Sequence, residues 1–364
     1  MRVLFDHDIF SRQTYGGVSR YCVELIRALQ ERGTAVRIFG GFYINEFLTS
    51  ADPVTGAKIP AIRHTARVRQ ALNDVLFRAS HSWVAADVVH YTLYPSSSTS
   101  ILRNSVVTVH DMIHELFPRP AERCFSDYKR RACQQAAQII AVSESTKRDL
   151  MGLFSIPEGK ITVIYHGSSF TAVEAVLSAS PPPPRSDVVL YVGRRDGYKN
   201  FRTLVAAFEC SPLLRTHFRL SCVGGGPFTP SEMELLTRAG MSASVCHSRP
   251  AEGELRLCYA TARCLVYPSQ YEGFGLPLLE AMSTGCPVIC SNVPALVEVA
   301  GDAGQYFDPF SVDSIRTALE YCLFDQAVLD TMSLRGICRS RLFSWASCAD
   351  RTIDVYRRVV SVAS

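Results

Sequence analysis

A run of four prolines divides this chain of 364 residues into two parts that repeat one pattern. The run lies within SASPPPPRSD, Ser178 to Asp187. It predicts an extended linker, because proline cannot continue a helix or serve in a central strand. On both sides of it, short apolar runs alternate with helical stretches, which is typical of parallel sheets flanked by helices. The sequence therefore predicts an α/β protein with two Rossmann-like lobes and a cleft between them.

The apolar runs give the predicted strands of each lobe. Those of the first lobe are Val3–Phe5, Ala35–Phe39, Asp87–Tyr91, Ser105–Val109, Ile139–Val142 and Ile161–Ile164. Those of the second lobe are Val188–Val192, Phe218–Val223, Ser244–His247, Cys264–Tyr267 and Pro287–Cys290. Ser143 precedes the helical stretch ESTKRDLM and is a predicted N-cap. At the other end of the chain, apolar residues recur at helical spacing from Trp345 to Tyr356 and predict a final helix.

The stretch SQYEGFGLPLLEAMSTGCPVI, Ser269 to Ile289, carries the strongest functional pattern. Glu272 and Glu280 stand on either side of GFGLPLL, whose glycines allow a backbone to approach a ligand closely. Pro277 suits the first position of a helix, where its missing N–H costs nothing. The pattern predicts a strand, a glycine-rich loop and a helix. The free N–H groups at that helix start favour an anion.

The spacing limits what the two carboxylates can do. Glycosidase pairs work across about 5 to 10 Å, whereas these two would lie roughly 10 Å or more apart at about 1.5 Å per helical residue. We therefore expect Glu272 and Glu280 to bind two hydroxyl-bearing parts of one long ligand, with its phosphates between. The alternative is a buried structural loop with Glu280 on a solvated helix face.

A basic turn follows the first strand of the second lobe. Arg194, Arg195 and Lys199 lie in GRRDGYKN, at the carboxyl end of a predicted parallel strand, where ligands bind in such sheets. Guanidinium groups offer planar forks and an ammonium offers a point charge, so the turn predicts a diphosphate site. A solvated basic turn is the alternative.

Two further candidates lie in the first lobe. Gly16 and Gly17 precede a predicted helix whose N-terminus suits a phosphate or a close backbone contact. His110 follows the strand Ser105–Val109, where an imidazole can hydrogen-bond a sugar hydroxyl or a phosphate. A tight structural turn and a structural histidine are the respective alternatives.

Composition excludes several classes of function. The net charge of +4 is modest and no nucleic-acid motif occurs, so nucleic acid is not an expected partner. No metal site is expected, because none of the thirteen cysteines forms a CxxC pair and because Asp6 and Asp8 lack further ligands. The absence of GxGxxG argues against a nicotinamide dehydrogenase. MRVLFDHDIF is no secretory signal and no apolar run is long enough for a membrane span, so we expect a cytoplasmic protein.

One segment of the first lobe has a basic amphipathic pattern. On a helix, the basic face of Arg63 to Arg78 would carry Arg63, Arg67, Gln70, Asp74 and Arg78. The apolar face would carry Ala71, Leu72, Val75 and Leu76. The basic face can rest on an anionic membrane, and the alternative is a surface helix packed on its own domain.

With these motifs in hand, the chain resembles the retaining glycosyltransferases of family 4 over nearly its whole length. The most specific part is EGFGLPLLEAMSTGCPVICSNVPALVEVAGDAGQYFDP, Glu272 to Pro309. YVGRRDGYKNF, YGGVSRYCVELIRAL and VVTVHDMIHELFP are also similar to the family. These versions are most like those of bacterial mannosyltransferases of O-antigen and surface-polysaccharide synthesis.

The resemblance implies the GT-B fold, with a different ligand bound by each lobe. Residues 1–178 would form the acceptor-binding domain and residues 187–343 the nucleotide-sugar donor domain. Residues 344–364 would form a helix that packs back on the first domain.

The resemblance also implies roles for individual residues. The catalytic residues would be His110, Arg195, Lys199 and Glu272. The donor-binding residues would be Gly16, Gly17, Arg194, Gly273, Phe274, Gly275, Leu276 and Glu280. Glu280 would hold the ribose and His110 the donor sugar. The family usually has one arginine where this chain has Arg194 and Arg195, so either can be the one that binds the diphosphate.

The implied reaction is transfer of a hexose with retention of configuration. We expect mannose from GDP-mannose, a growing polyprenyl-linked saccharide as acceptor, and no metal or other cofactor. The partners would be the nucleotide sugar, that acceptor and the anionic inner membrane as a peripheral contact. The alternatives are a GT-B activity with a UDP-sugar donor and a non-catalytic scaffold that binds the donor.

Overall fold

The computed structural model describes residues 1–62, 64–81, 86–96, 101–119, 123–168, 170 and 185–363. The chain divides into two units, one of Met1–Gly167 with Ser344–Ser364 and one of Ser168–Phe343. The first unit thus ends before residue 178, the boundary predicted from the proline run. The four prolines themselves, residues 181–184, lie outside the described residues.

A seven-stranded parallel sheet forms the centre of the first unit, in the order β3-β2-β1-β4-β5-β6-β7. Its strands are β1 (Arg2–Phe5), β2 (Ala35–Tyr43), β3 (Val54–Lys58), β4 (Val88–Tyr91), β5 (Ser105–Val109), β6 (Gln138–Ala141) and β7 (Ile161–Val163). The strands β4 and β5 are buried along their whole length. Burial on both faces explains why they are rich in valine.

Helices connect these strands. They are α1 (Asp8–Arg12), α2 (Gly17–Glu31), α3 (Ala66–His81), α4 (Ile113–Leu116), α5 (Arg123–Gln135) and α6 (Glu144–Phe154). The backbone after α2 turns at Gly33, whose φ of 71° lies in the left-handed region. The side chain of Ser143 accepts a hydrogen bond from the Thr146 N–H, which confirms the predicted N-cap of α6.

The second unit repeats the plan with a six-stranded parallel sheet, in the order β10-β9-β8-β11-β12-β13. Its strands are β8 (Val188–Val192), β9 (Arg219–Val223), β10 (Val245–Ser248), β11 (Cys264–Tyr267), β12 (Val288–Ser291) and β13 (Gly304–Phe307). Its helices are α7 (Phe201–Glu209), α8 (Pro212–His217), α9 (Pro230–Arg238), α10 (Glu252–Thr261), α11 (Leu276–Ser283), α12 (Pro294–Ala300), α13 (Val312–Leu323) and α14 (Gln326–Ser340).

Two strands were missed by the sequence analysis. Both β3 and β13 are edge strands with one neighbour each. Most of β3 is exposed and most of β13 is half-buried. Neither is a continuous apolar run, because an edge strand is not covered as a central strand is.

The last helix, α15 (Trp345–Ala363), belongs to the first unit, as the resemblance implied. Its buried residues Ala349, Val355 and Tyr356 join the core that α2 also fills. The Tyr356 hydroxyl lies 2.6 Å from Nδ1 of His90, whose Nε2 lies 2.8 Å from the Thr108 hydroxyl. Within the described residues, no helix is long and apolar enough to cross a bilayer.

We expect Tyr356→Phe to lower the free energy of unfolding by about 1 to 3 kcal/mol, because it leaves His90 Nδ1 buried without its partner. Urea unfolding measures the difference. Tyr321→Phe is the matched control, since Tyr321 is exposed on α13. Equal midpoints for the two variants would contradict the role of the Tyr356 contact.

Candidate functional site

In the second unit, a loop and helix start follow β11. Gly275 precedes α11 with a φ of 100°, and a Cβ there would lie 2.6 Å from Cδ2 of Leu296. Glycine is therefore required at this position. Pro277 is the second residue of the helix, one place later than predicted, and still lies where a missing N–H has no cost. Pro277 has no N–H and the Leu278 N–H donates to the Gly275 carbonyl at 3.0 Å, so in this first turn the Leu276 N–H is the one without an acceptor in the helix.

An ion pair joins two of the predicted site residues at this loop. Lys199 Nζ lies 2.6 Å from Glu272 Oε1 and 3.1 Å from the Tyr267 hydroxyl. Both charged side chains are largely buried, with 14% and 10% of their surface exposed. The basic turn after β8 and the loop after β11 therefore meet at one edge of the sheet.

Asn200 holds the basic turn against its surroundings. Its φ of 60° is left-handed, and its side-chain amide donates to the Pro268 carbonyl at 3.0 Å and to the Pro309 carbonyl at 2.7 Å. These bonds tie the residue after Lys199 to the segment that leads to Glu272. The ion pair is thus held by buried backbone contacts.

Lys199 carries its proton at neutral pH. Burial lowers the pKa of its ammonium, but the Glu272 carboxylate and the neighbouring tyrosines raise it more, and the net shift is upward. Burial also raises the pKa of the Tyr267 hydroxyl, with a further rise from Glu272. The group beside the helix start is therefore a cation paired with a carboxylate.

Glu280 is the fifth residue of α11 and is buried. Its Oε2 accepts a hydrogen bond of 2.9 Å from the Tyr259 hydroxyl. A solvated helix face, one alternative from the sequence, is therefore excluded. Gly273, Phe274 and Leu276 lie in or beside the same loop as Glu272.

The two adjacent arginines have different surroundings. Arg195 Nε lies 3.0 Å from Glu232 Oε1, and Nη2 lies 2.6 Å from the Gly226 carbonyl. Its guanidinium also lies over the Phe228 ring, at 4.6 Å from the centroid. The side chain of Arg194 is 59% exposed. The contacts of Arg195 within the unit do not support the catalytic role predicted for it, because its donors already bind acceptors of the same unit.

The helix start in the first unit has a partner that the sequence analysis missed. Gly16 is extended, with a φ of 173°, and Gly17 is the first residue of α2. The side-chain oxygen of Gln13 accepts a bond of 3.3 Å from the Ser19 N–H. A Cβ on Gly16 would lie 2.2 Å from that oxygen, so Gly16 makes room for the Gln13 amide.

His110 is buried in a cluster of aromatic rings. Its ring lies 4.9 Å from that of Tyr21 and 5.8 Å from that of His166. Trp345, at the start of α15, stacks on His166 at 6.2 Å. Burial lowers the pKa of His110 to about 4, so the imidazole is neutral at pH 7. Its Nε2 makes no hydrogen bond to any described residue.

The carboxylates of Asp6 and Asp8 accept hydrogen bonds from protein donors. Asp6 accepts from the Thr92 N–H at 2.7 Å, and Asp8 accepts from Arg12 Nε at 2.6 Å. Burial and the Asp8 charge raise the pKa of Asp6 to about 7. The described part of the chain contains no group of three or more His, Cys, Asp or Glu side chains placed to hold a metal.

Family models match two adjoining parts of this chain. The model for Glycosyltransferase Family 4 matches residues 15–169, and the model for Glycosyl transferases group 1 matches residues 174–336. Together they account for most of the sequence. The chain is a glycosyltransferase.

Two curated relatives of this glycosyltransferase come from Escherichia coli. The O-antigen chain mannosyltransferase B is 29% identical, and the match covers 94% of this chain and 96% of that protein. The serotype-specific mannosyltransferase WbdA is 27% identical over 70% of this chain, and this match spans only 34% of WbdA. The family resemblance is confirmed at this level.

A solved structure shows the same fold. The sucrose-phosphate synthase of Thermosynechococcus elongatus has a TM-score of 0.78 with this glycosyltransferase, at 22% identity, over 99% of both chains. With the two parallel-sheet units, this likeness confirms the predicted GT-B fold class.

We expect the His110 ring to stay neutral until the pH falls through about 4, because burial disfavours the imidazolium. The unfolded chain gains this proton near pH 6.5, so stability should fall as the pH drops from about 6.5 toward 4. Proton NMR of the histidine ring C–H signals measures the titration, and His110→Gln identifies the signal. A midpoint near pH 6.5 in the folded protein would contradict the assigned environment.

Proposed function

We propose that this glycosyltransferase transfers mannose from GDP-mannose, with retention of configuration, to a growing lipid-linked saccharide. The observation that supports a nucleotide-sugar donor is the buried Lys199–Glu272 pair, which lies at the loop that leads into the start of α11. The name of the E. coli O-antigen mannosyltransferase, similar over nearly the whole chain, supports the choice of sugar and of acceptor.

In this proposal the second unit binds the donor. The diphosphate lies at the start of α11, where the positive end of the helix dipole and Lys199 neutralise its charge. Arg194 is the arginine that joins them, because its side chain is exposed whereas that of Arg195 is held by Glu232. Glu280 binds the ribose hydroxyls, and Glu272 binds the donor sugar.

Lys199 has the leading catalytic role in this scheme. Negative charge grows on the departing diphosphate as the bond to the anomeric carbon breaks, and a fixed ammonium stabilises that charge without reorganisation. The acceptor hydroxyl attacks the same face of the sugar, and its proton passes to the leaving phosphate oxygen. Electrostatic stabilisation by protein cations makes a divalent metal unnecessary in this proposal.

The first unit supplies the remaining predicted contacts. We retain for His110 the contact with the donor sugar, which a neutral imidazole can make through its unpartnered Nε2. Gly16 and Gly17 retain their role at the diphosphate, which requires that the Gln13 amide leave the start of α2. We place the reaction in the cytoplasm, since thirteen free cysteines suit a reducing compartment.

A panel of nucleotide sugars tests the proposal. We expect mannosyl transfer from GDP-mannose to a polyprenyl-linked saccharide in the presence of EDTA, with an α-linkage found by NMR. Transfer from a UDP-sugar instead of GDP-mannose would contradict the proposed donor. Loss of activity in EDTA that Mn²⁺ restores would refute metal independence. Donor binding without turnover would indicate a scaffold protein.

Lys199→Ala should lower kcat by about 10²-fold or more, as expected for the loss of one preorganised charge-stabilising group. Arg194→Ala should lower it in the same direction. Lys147→Ala is the matched control, because Lys147 also forms an ion pair with a glutamate, 2.7 Å from Glu158, on α6. Steady-state kinetics decide, and turnover of Lys199→Ala equal to the control would remove Lys199 from the mechanism.

Glu280→Ala should weaken GDP binding by about tenfold or more, because a charge-assisted hydrogen bond contributes about 1.5 to 3 kcal/mol. Calorimetric titration with GDP measures the affinity. Tyr259→Phe is the control, since it removes the neighbouring hydroxyl and leaves the carboxylate. An unchanged dissociation constant for Glu280→Ala contradicts the ribose role.

A further inference from the structure

The helix α3 packs on its own unit with a side that is polar except for the buried Phe77. Arg69 Nε donates to the Ser11 carbonyl at 3.0 Å, and Asn73 Nδ2 donates to the Phe42 carbonyl at 3.0 Å. Asp74 accepts a bond of 2.9 Å from the Ser96 hydroxyl. The sequence analysis had placed Asp74 on an outward basic face. Hydrogen bonds from the unit hold Arg69, Asn73 and Asp74 inward, whereas Arg67 and Arg78 of that face stay exposed.

The apolar side of α3 faces outward as a result. Its large aliphatic residues, which we call the α3 outer face, are exposed: Val68 by 71%, Leu72 by 45%, Val75 by 55% and Leu76 by 38%. The spacing places them along one stripe of the helix. An amphipathic helix with its apolar stripe in water is unusual for a globular domain, where that stripe faces the core.

The exposed charges of α3 itself have one sign. Arg67 and Arg78 are exposed on α3, whereas Asp74, the one acidic residue of the helix, is buried. Among the described side chains of α3, the exposed surface thus carries cations and aliphatic groups without a carboxylate. Arg63, which was predicted to extend the basic face, lies outside the described residues.

An apolar groove continues the α3 outer face toward the edge of the sheet. Leu76 and Ala79 line it from the helix, and Phe39, Phe42 and Ala57 line it from β2 and β3. Its volume is about 470 Å³. The exposed apolar surface therefore extends beyond one helix, and contiguous apolar surface of this kind marks interaction sites.

We propose that the α3 outer face docks on an anionic lipid bilayer. Aliphatic side chains would enter the boundary of headgroups and acyl chains, and Arg67 and Arg78 would meet the lipid phosphates. The proposal deepens the proposed function, on which it rests for the lipid-linked acceptor, by naming the surface that brings the enzyme to that acceptor.

The charge pattern selects a bilayer over a second copy of the chain. A twofold interface would place the same patch against itself, so the arginines of two copies would approach without an exposed carboxylate of α3 to pair with them. An anionic membrane supplies negative charge that Arg67 and Arg78 can meet. It also covers the aliphatic stripe and the groove together.

Flotation with vesicles tests the docking surface. Wild-type protein should float with vesicles of phosphatidylglycerol and phosphatidylcholine in equal parts, and much less with phosphatidylcholine alone. Leu72→Gln with Val75→Gln should reduce binding by about tenfold or more, because the apolar area that enters the bilayer is lost. Arg67→Glu with Arg78→Glu should remove the preference for anionic vesicles.

Matched controls keep the test independent of folding and of catalysis. Leu213→Gln with Leu334→Gln alters two leucines of the second unit, 54% and 65% exposed, and should leave vesicle binding unchanged. Thermal unfolding of each variant should match wild type. Transfer to a water-soluble saccharide without a lipid should also be unchanged in the Leu72→Gln, Val75→Gln variant.

Three results would overturn the docking surface. The first is wild-type protein in the unbound fraction with anionic vesicles, and the second is a Leu72→Gln, Val75→Gln variant that floats as well as wild type. A concentration-dependent dimer that this variant abolishes, seen by analytical ultracentrifugation, would assign the face to a second copy. Vesicle binding by a protein that transfers no sugar would refute the proposed function and leave the docking surface in place.

Discussion

Parallel pairing of β8 with β11 is the constraint on which the candidate site depends. The two strands are neighbours in the sheet, with Val189 opposite Cys264, so the loops that follow them emerge at the same edge. The Lys199–Glu272 ion pair joins those two loops. The Asn200 side-chain amide donates to the Pro268 carbonyl and so holds the basic turn after β8 in place. A cation is thereby held beside a helix start before any ligand arrives. Preorganisation of this kind is what an enzyme needs where charge develops in the transition state.

The first unit holds its own candidate residue in a different way. His110 lies against the rings of Tyr21 and His166, and burial keeps its imidazole neutral. Tyr21 also reaches the Thr108 hydroxyl, which connects through His90 to Tyr356 on the last helix. The C-terminal helix therefore supports the core beneath His110, and its return to the first unit affects the site as well as the fold.

The helix α3 exposes an aliphatic side and buries a side that is mainly polar. Hydrogen bonds from Arg69 and Asn73 to backbone carbonyls fix the polar side inward, and buried polar groups of this kind are stable only when they are paired. The aliphatic side is left exposed beside two arginines. The helix packs on the unit through these hydrogen bonds and through the buried Phe77, and its exposed aliphatic surface is the proposed docking face. The same unit that holds His110 thus also carries the surface proposed to meet the lipid.

The sequence by itself determined the two parallel-sheet lobes, the family, and the grouping of Lys199, Glu272 and Glu280 after strands of the second lobe. Central strands are buried on both faces, so their apolar composition predicts them. The glycine-rich loop before α11 is likewise recognisable from its residues and their spacing. Only the tertiary structure decided what depends on neighbours distant in sequence. The edge strands β3 and β13 lack a continuous apolar run, Arg195 is held by Glu232, and α3 turns its polar side inward toward Ser11 and Phe42. In each case the residue type is compatible with two environments, and long-range contacts select one of them.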